Sequence, residues 1–390
     1  MVNGYEPIVC DIGASSIKIG HAGNLVPEQV IPTVVAVSRN GGSNILMGKE
    51  ALSKRNRNDF SFVRPIDEYG IVRDWKALES LLEYSLESIG VEPKHCPRQK
   101  ILITKAHAMK RSDVKRLLDL FFYKFRLGSV TMHEQAAMVL YTRGVETGLV
   151  VELGDTMATL TPVYQGFAIP KLNKSMAVGG RSITQCLLKL LRRRGYHMNT
   201  SSNHLETARE VKERSSYVAL NPSAEERLAR ETTVLEKVIP IHDGTTVVIG
   251  QERFEATEIL FQPKLWDSEQ SGLADLIYET IQEAPIDCRM ELYKNIILSG
   301  GSSLLPGIQE RIEEDLIARY DKEHTTNSNM GSSRQWKFQV HAAETRRFAV
   351  FEGAALFADL IGNDRQFWVT TSEYEVDAGV QVLMDKCQVV

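Results

Sequence analysis

The chain has 390 residues, of which 43% are hydrophobic and 25% charged, with a formal net charge of -4. That length predicts two or more domains, the composition is globular, and a pI near 6.2 leaves no basic footprint for direct nucleic-acid binding. Cys10, Cys96, Cys186, Cys288 and Cys387 form no Cys-x-x-Cys pair and no metal-ligand cluster, which predicts reduced thiols rather than disulfides or a zinc site. No apolar run is long enough to predict a membrane span. Met1–Glu6 lacks the basic and apolar regions of a secretory signal, so none is expected.

The first stretch with chemistry in it is Val9–Gly20. It reads as two short apolar strands joined by a small Gly/Ser turn, with Asp11 closing the first strand and Lys18 inside the second. Small residues let backbone amides approach an oxyanion, and Lys18 adds a charge-assisted donor. An ordinary hairpin has the same pattern, so both readings stand at this point. Gln29–Ser38 is a β-branched run broken by Pro32, as at an edge or crossover strand. Residues 39–44 are a turn and 48–60 a polar, basic loop or short helix. Asp74 predicts the cap of a helix from Trp75 to Ile89, with Leu78, Leu81, Leu82 and Leu86 on one face.

A βα alternation follows. Ile101–Thr104 is a buried strand, Ser112 caps a helix through Phe122, Val130–Met132 is a strand and 134–141 a short helix. The pattern then restarts: Leu149–Leu153 is a strand, Gly154-Asp155-Thr156 a turn, and Thr159–Val163 a returning strand. Helices are predicted from Ser182 to Arg194, whose cationic last turn offsets the helix dipole, and from Ser202 or Asn203 to Tyr217. Residues 234–254 alternate like strands around a turn at 242–244. Leu273–Ile281 is an amphipathic helix, and Asn295–Ser303 is a buried strand running into the glycine pair Gly300-Gly301, with a helix after Pro306. GxGxxG and GxxxxGK[ST] are both absent, so neither a dinucleotide fingerprint nor a P-loop is supported. Residues 321–334 read as an exposed, mobile loop, and Arg347–Ile361 as a helix.

Three phosphate-type turns in this order are joined by Gly70-Ile71-Val72-Arg73-Asp74-Trp75, Pro162–Ala168, Val211-Lys212-Glu213-Arg214, Leu298–Ser302, and Phe367-Trp368 with Glu373-Tyr374. On these segments the chain resembles the actin family over nearly its whole length. Glu231–Leu235, Glu252–Ala256 and Phe261–Pro263 are similar to its actin-related branch, whereas Asp385-Lys386-Cys387 is closer to conventional actin. The resemblance implies an α/β actin/Hsp70/hexokinase-like fold of two facing domains in four subdomains. The expected division is 1–142 plus 336–390, with a small subdomain at about 33–66, and 143–335, with one at about 179–268.

It also implies ATP or ADP with Mg²⁺ (or Ca²⁺). Asp11, Glu152 and Asp155 would hold the cation through water, as suits an ion that keeps several waters. Lys18 would contact phosphates alongside Gly13, Ser15, Ser16, Gly154 and Thr156. Gln135 would orient a water, since phosphoryl transfer relies on positioning. Lys212, Glu213, Gly300, Gly301, Ser302 and Arg347 would surround the nucleoside. On residue type alone, the favoured reading is Gln135 as a plain helix-surface residue and Lys212 and Glu213 as a solvated face.

The turns depart from the family pattern. Asp-Asn-Gly-(Ser/Thr)-Gly becomes Asp11-Ile12-Gly13-Ala14-Ser15, which replaces a hydroxyl with a methyl. Asp-Ser-Gly-Asp-Gly becomes Glu152-Leu153-Gly154-Asp155-Thr156, Thr159 replaces a His, and Leu305 stands where a Tyr is common. These changes predict weak or absent hydrolysis, at most a slow ATPase. The implied function is a cytoplasmic, cytoskeletal structural subunit of an actin-nucleating or actin-like assembly. Its partners would be actin and other subunits, with helix-bearing regulators at a cleft of Tyr141, Thr142, Gly144, Thr147 and Phe357. Two other readings compete: a divergent structural protein of an axonemal, sperm or chromatin complex with a degenerate nucleotide site, and a sugar kinase of the same fold, for which no base carboxylate stands out.

Overall fold

The structure is a computed structural model that describes residues 6–38, 45–53, 60–92, 97–106, 109–199, 202–241, 246–266, 268–325, 338–375 and 386. The expected turns at 39–44 and 242–244 and most of the expected loop at 321–334 lie outside the described residues, as do Cys96 and Cys387. Packing divides the chain into two compact units: 1–146 with 165–170 and 347–390, and 147–164 with 171–346.

The first unit is built on a six-stranded sheet. Its strands run, in spatial order, Val369–Thr370, Ser129–Glu134, Lys100–Lys105, Ile8–Ile12, Ser16–His21 and Gln29–Pro32. The three central strands beginning at Ser129, Lys100 and Ile8 are parallel, and the hairpin to Ser16–His21 is antiparallel. Both faces are covered, and alternation along the strands shows it. Ile8, Cys10, Ile12, Ile101 and Ile103 pack with Leu78, Leu81, Leu82, Leu117 and Phe121 from helices Trp75–Ser88 and Arg111–Asp119 and the π-turn Leu120–Lys124. Val9 and Leu102, one residue out of phase, pack on Met138, Phe351, Ala354 and Trp368 from the opposite side. Asp74 caps its helix through Ala77 N–H at 3.0 Å. The next helix begins one residue before the expected Ser112 cap, after Lys110, with no side-chain cap.

Gln29–Ser38 divides at Pro32. Gln29–Pro32 is the sheet edge, while Val35–Ser38 forms a separate three-stranded sheet with Ile45–Met47 and Phe60–Val63. The polar stretch after residue 47 holds one short helix, Gly48–Ala51.

The second unit repeats the plan. Its sheet runs Ala158–Tyr164, Gly148–Leu153, Ile296–Ser299 and Val340–His341, and Lys174–Met176 pairs along Ala158–Leu160. Helices Gly180–Arg193, Leu273–Glu283 and Ile308–Thr325 bury Ile183, Leu187, Leu191, Ile277, Ile281, Ile308 and Ile312 against Leu149, Val151, Leu160 and Leu298. The Arg311 guanidinium is held by Glu258, Asp315 and the Ala219 carbonyl, and lies 4.5 Å from the Phe261 ring. It thereby ties the long helix to the loop at Ala219 and to the 3-10 helix Glu258–Leu260.

Three expectations are corrected here. Residues 321–325, expected in a loop, continue the helix that starts at Ile308. The strand-like alternation over 234–254 is two short strands, Lys237–Pro240 and Thr246–Ile249, followed by the helix Glu252–Glu255. A helix not expected at all, Pro222–Glu231, is capped by the Asn221 side chain with Pro222 in its first turn. It buries no residue, so it carries no apolar stripe to read; local capping specifies it instead.

His133 lies in the first unit against Phe357, edge to face with centroids 4.6 Å apart, 3.1 Å from the Thr131 hydroxyl. Burial pushes its pKa down to about 4. The unfolded chain therefore binds the extra proton first, and the neutral ring's contribution is complete above about pH 6.5 and lost as pH falls toward 4, by roughly 3 kcal/mol on linkage. Urea unfolding across that range should show the loss, and His133→Asn should flatten the slope whatever its absolute stability.

Candidate functional site

In the first unit, strand register places Lys18 and Thr104 beside Asp11, and a helix start adds Gln135. The hairpin opposes Asp11 to Lys18, and Lys18 Nζ donates to Asp11 Oδ2 at 2.8 Å. The parallel neighbour opposes Asp11 to Thr104, whose hydroxyl donates to Oδ1 at 2.7 Å. Gln135 opens the helix Gln135–Tyr141, and its Nε2 donates to Oδ1 at 3.0 Å. Burial alone would raise this carboxyl; the Lys18 charge and the three hydrogen bonds overcome it and hold the pKa below the ordinary value. Gln135 is thus buried on the acid, not a plain surface residue. The Gly13 turn closes through Gly13 N–H to Ser16 O at 3.2 Å, and Thr33 holds both sides, by its hydroxyl to Gly13 O and its amide to Ser15 O. A Cβ on Gly13 would stand 2.9 Å from Ser16 O and 3.3 Å from Lys18 Nζ, so a side chain there would crowd the lysine.

The second unit reproduces this hairpin residue by residue. Ile12 pairs Ile17, and Leu153 pairs Ala158. Gly13 N–H bonds Ser16 O, and Gly154 N–H bonds Met157 O at 3.0 Å. Register makes Glu152 the counterpart of Asp11 and Thr159 the counterpart of Lys18. Ser299, which pairs Glu152 from the parallel neighbour, stands where Thr104 stands. The lysine is therefore missing from this half, and Asp155 occupies the turn position of Ala14.

Asp155 is instead bonded by Arg181, from Nε at 3.2 Å and Nη2 at 2.9 Å. Thr156 is buried. Ser302 Oγ donates to Gly154 O at 2.8 Å, joining the glycine-pair turn to this one. Gly300 has φ +89°, and a Cβ there would collide with the Leu153 carbonyl, so only glycine fits both the backbone and the approach. A Cβ on Gly301 would meet open space.

Lys212, on the helix Ser202–Ser215, is buried and donates to Gly180 O at 2.8 Å. Burial lowers its pKa despite the nearby Asp155 and Glu213. Glu213 lies on the solvated face, accepting from Arg209 at 2.9 Å. Arg347 is exposed, with its guanidinium 5.5 Å from the Phe348 ring centroid.

Asp11, Gly13, Lys18 and Gln135 therefore converge in the first unit, and Gly154, Asp155, Lys212, Gly300 and Ser302 in the second. Glu213 and Arg347 do not join those clusters. Sequence reasoning missed Thr104, Thr33, Gly180 and Arg181. The Gly179-Gly180-Arg181 run ahead of an apolar helix was the available signal for the last two.

The chain matches the Actin family over residues 2–388. It belongs to the actin family, and the resemblance read in the sequence is borne out along with the actin-type fold. Within the family it is 35% identical over 395 residues to Actin-related protein 2 of Caenorhabditis briggsae, across 98% of each chain. It is 35% identical over 397 residues to Actin-related protein 2 of Acanthamoeba castellanii, covering 99% of this chain and 100% of that one. With the Oryza sativa subsp. japonica protein of the same name it shares 34% over 378 residues, 94% of this chain and 95% of the other. Among the described residues no helix is long and apolar enough to cross a membrane.

Replacing Lys18 by Met leaves the Asp11 carboxylate buried without its counter-charge. The expected cost at pH 7 is about 3–5 kcal/mol. The unpaired carboxyl then has a raised pKa, so the variant should recover stability as pH falls. Urea unfolding at pH 7 and pH 5 measures both.

Proposed function

We propose that this chain is an actin-related structural subunit of an actin-nucleating assembly, binding ATP or ADP with Mg²⁺ (or Ca²⁺) and hydrolysing it slowly or not at all. The observation that carries the reading is its end-to-end similarity to Actin-related protein 2 from three distant organisms, joined to the Asp11–Lys18–Gln135 cluster. The four-subdomain division given above, with inserts at about 33–66 and 179–268, belongs to this proposal, as does a cytoplasmic, cytoskeletal setting.

The residues present suit such a ligand. Gly301 leaves space at the glycine-pair turn, Lys18 is held on Asp11 beside the first turn, and Lys212 is held on Gly180 O at the helix end that meets the second. In this reading Asp11, Glu152 and Asp155 would act on the cation through water, as suits an ion that keeps several waters. When bound, the nucleotide and its cation supply the transferable phosphoryl group and the charge that balances these side chains. Lys18, which donates to Asp11 at 2.8 Å, would in this reading donate to phosphate as well. Gln135, whose NH₂ is fixed by Asp11, presents its carbonyl oxygen in a set direction to accept from a water. In this reading Lys212, Gly300, Gly301 and Ser302 would serve the nucleoside, while Glu213 and Arg347 stand apart from that cluster.

Ala14 offers no hydroxyl, and Thr159 stands where register puts the lysine of the other hairpin. Each lost charged-acceptor hydrogen bond costs about 1.5–3 kcal/mol, so several would turn tight nucleotide binding into modest binding. Partner helices would dock on the first unit at Tyr141, partly exposed beside Phe357 with ring centroids 5.1 Å apart.

Two measurements check the reading. Mass photometry of protein purified under gentle conditions should give a heteromeric assembly; a lone monomer or long homofilaments would sink the subunit assignment. Thermal unfolding with Mg-ATP at 100 times Kd should gain about 2.7 kcal/mol, and no gain at any concentration would remove the nucleotide.

A further inference from the structure

We infer that Arg181 is the positioning residue of the second unit's turn, setting the Asp155 carboxylate for the ligand by holding it at both ends. The inference rests on the nucleotide reading above. The Arg181 backbone N–H donates to the Asp155 carbonyl at 2.6 Å. Its guanidinium donates to Asp155 Oδ2 from Nε at 3.2 Å and from Nη2 at 2.9 Å. Both side-chain donors converge on one oxygen, which fixes the rotation of the carboxylate and hence the direction of the other.

The preceding amide, Gly180 N–H, donates to Gly154 O at 3.0 Å. These are among the first amides of the helix Gly180–Arg193, which have no partner within the helix. Here they are committed to turn carbonyls, so the helix end works as a clamp on the turn. The approach needs two glycines. A Cβ on Gly179 would lie 2.6 Å from Met157 N and Thr156 C, and one on Gly180 would lie 2.5 Å from Ser302 Oγ.

The pair is sheltered, with side-chain exposures of 21% for Arg181 and 15% for Asp155, so solvent screens it weakly. A planar guanidinium can direct two donors at one oxygen, whereas a lysine ammonium is a point charge that retains attraction without the fixed geometry. The other hairpin needs no such device. Its acid is on the strand and is set by register with Lys18 and Thr104. Asp155 is in a turn, where no ladder fixes a side chain.

The test is a double-mutant cycle on the full chain, reading Kd for Mg-ADP and Mg-ATP by calorimetry. R181Q should weaken nucleotide binding about 10-fold to 100-fold, the range for residues that orient a ligating group. R181K should recover part of the loss, and it supplies the comparison if R181Q fails to fold. Because Arg181 acts through Asp155, the D155N/R181Q pair should bind within about twofold of D155N alone, an outcome that general destabilisation does not produce. Unchanged binding by R181Q or R181K, or additive losses in the double variant, would overturn the inference while leaving the nucleotide reading intact. Wild-type protein that binds neither nucleotide would overturn both.

Discussion

The first unit depends on keeping one buried carboxylate charged. A buried ion costs several kcal/mol even after relaxation unless donors replace its water. Asp11 collects three donors from three different pieces of chain: Lys18 across the hairpin, Thr104 on the parallel neighbour, and Gln135 at the start of a helix. A slip of one residue in either pairing would turn the side chain to the other face and strand the acid among Leu78, Leu81 and Phe121. The acid therefore acts as a register pin for the central strands, held by the same bonds that keep it charged.

The two units show what changes when the same hairpin is kept and its charges are moved. The turn geometry is preserved down to the amide that closes it. In the second unit the strand position has Glu152, its partner is Thr159 rather than lysine, and an aspartate, Asp155, stands in the turn. A strand side chain inherits its direction from the sheet, but a turn side chain does not. Arg181 and the two glycines before it supply the missing constraint from a helix end. Lys212 is drawn into the same cluster through Gly180 O, which keeps a buried ammonium partnered by a carbonyl as well as by nearby acids.

These substitutions bear on the chemistry the site can do. Conventional members of the family have glycines and hydroxyls at positions where this chain has Ala14, Ser15 and Thr156. Under the proposed nucleotide reading such replacements would narrow the approach to phosphate, and Ala14 packs against the apolar cluster of the first unit. A subunit that uses a nucleotide to hold its conformation tolerates such losses, because binding needs only enough contacts, whereas turnover needs every group aligned with the transition state.

The sequence by itself determined the strand–turn–strand units, the long helices Trp75–Ser88 and Leu273–Glu283, the glycine-pair turn and the family, because periodic burial and small turn residues leave local marks. It also marked Asp11, Lys18 and Gln135 through the family resemblance. The helix Pro222–Glu231 left no apolar stripe, and the strand-like alternation over 234–254 concealed a helix at Glu252–Glu255, so pattern alone misread both. Only the tertiary structure decided that Gln135 is spent on Asp11, that Lys212 is buried while Glu213 faces water, and that Thr104 and Arg181 complete the two clusters. Thr104 lies 93 positions from the carboxylate it serves and Arg181 lies 26 from its own. Strand register and helix docking bring those partners together, and these follow from the packing of whole elements rather than from any neighbouring residues.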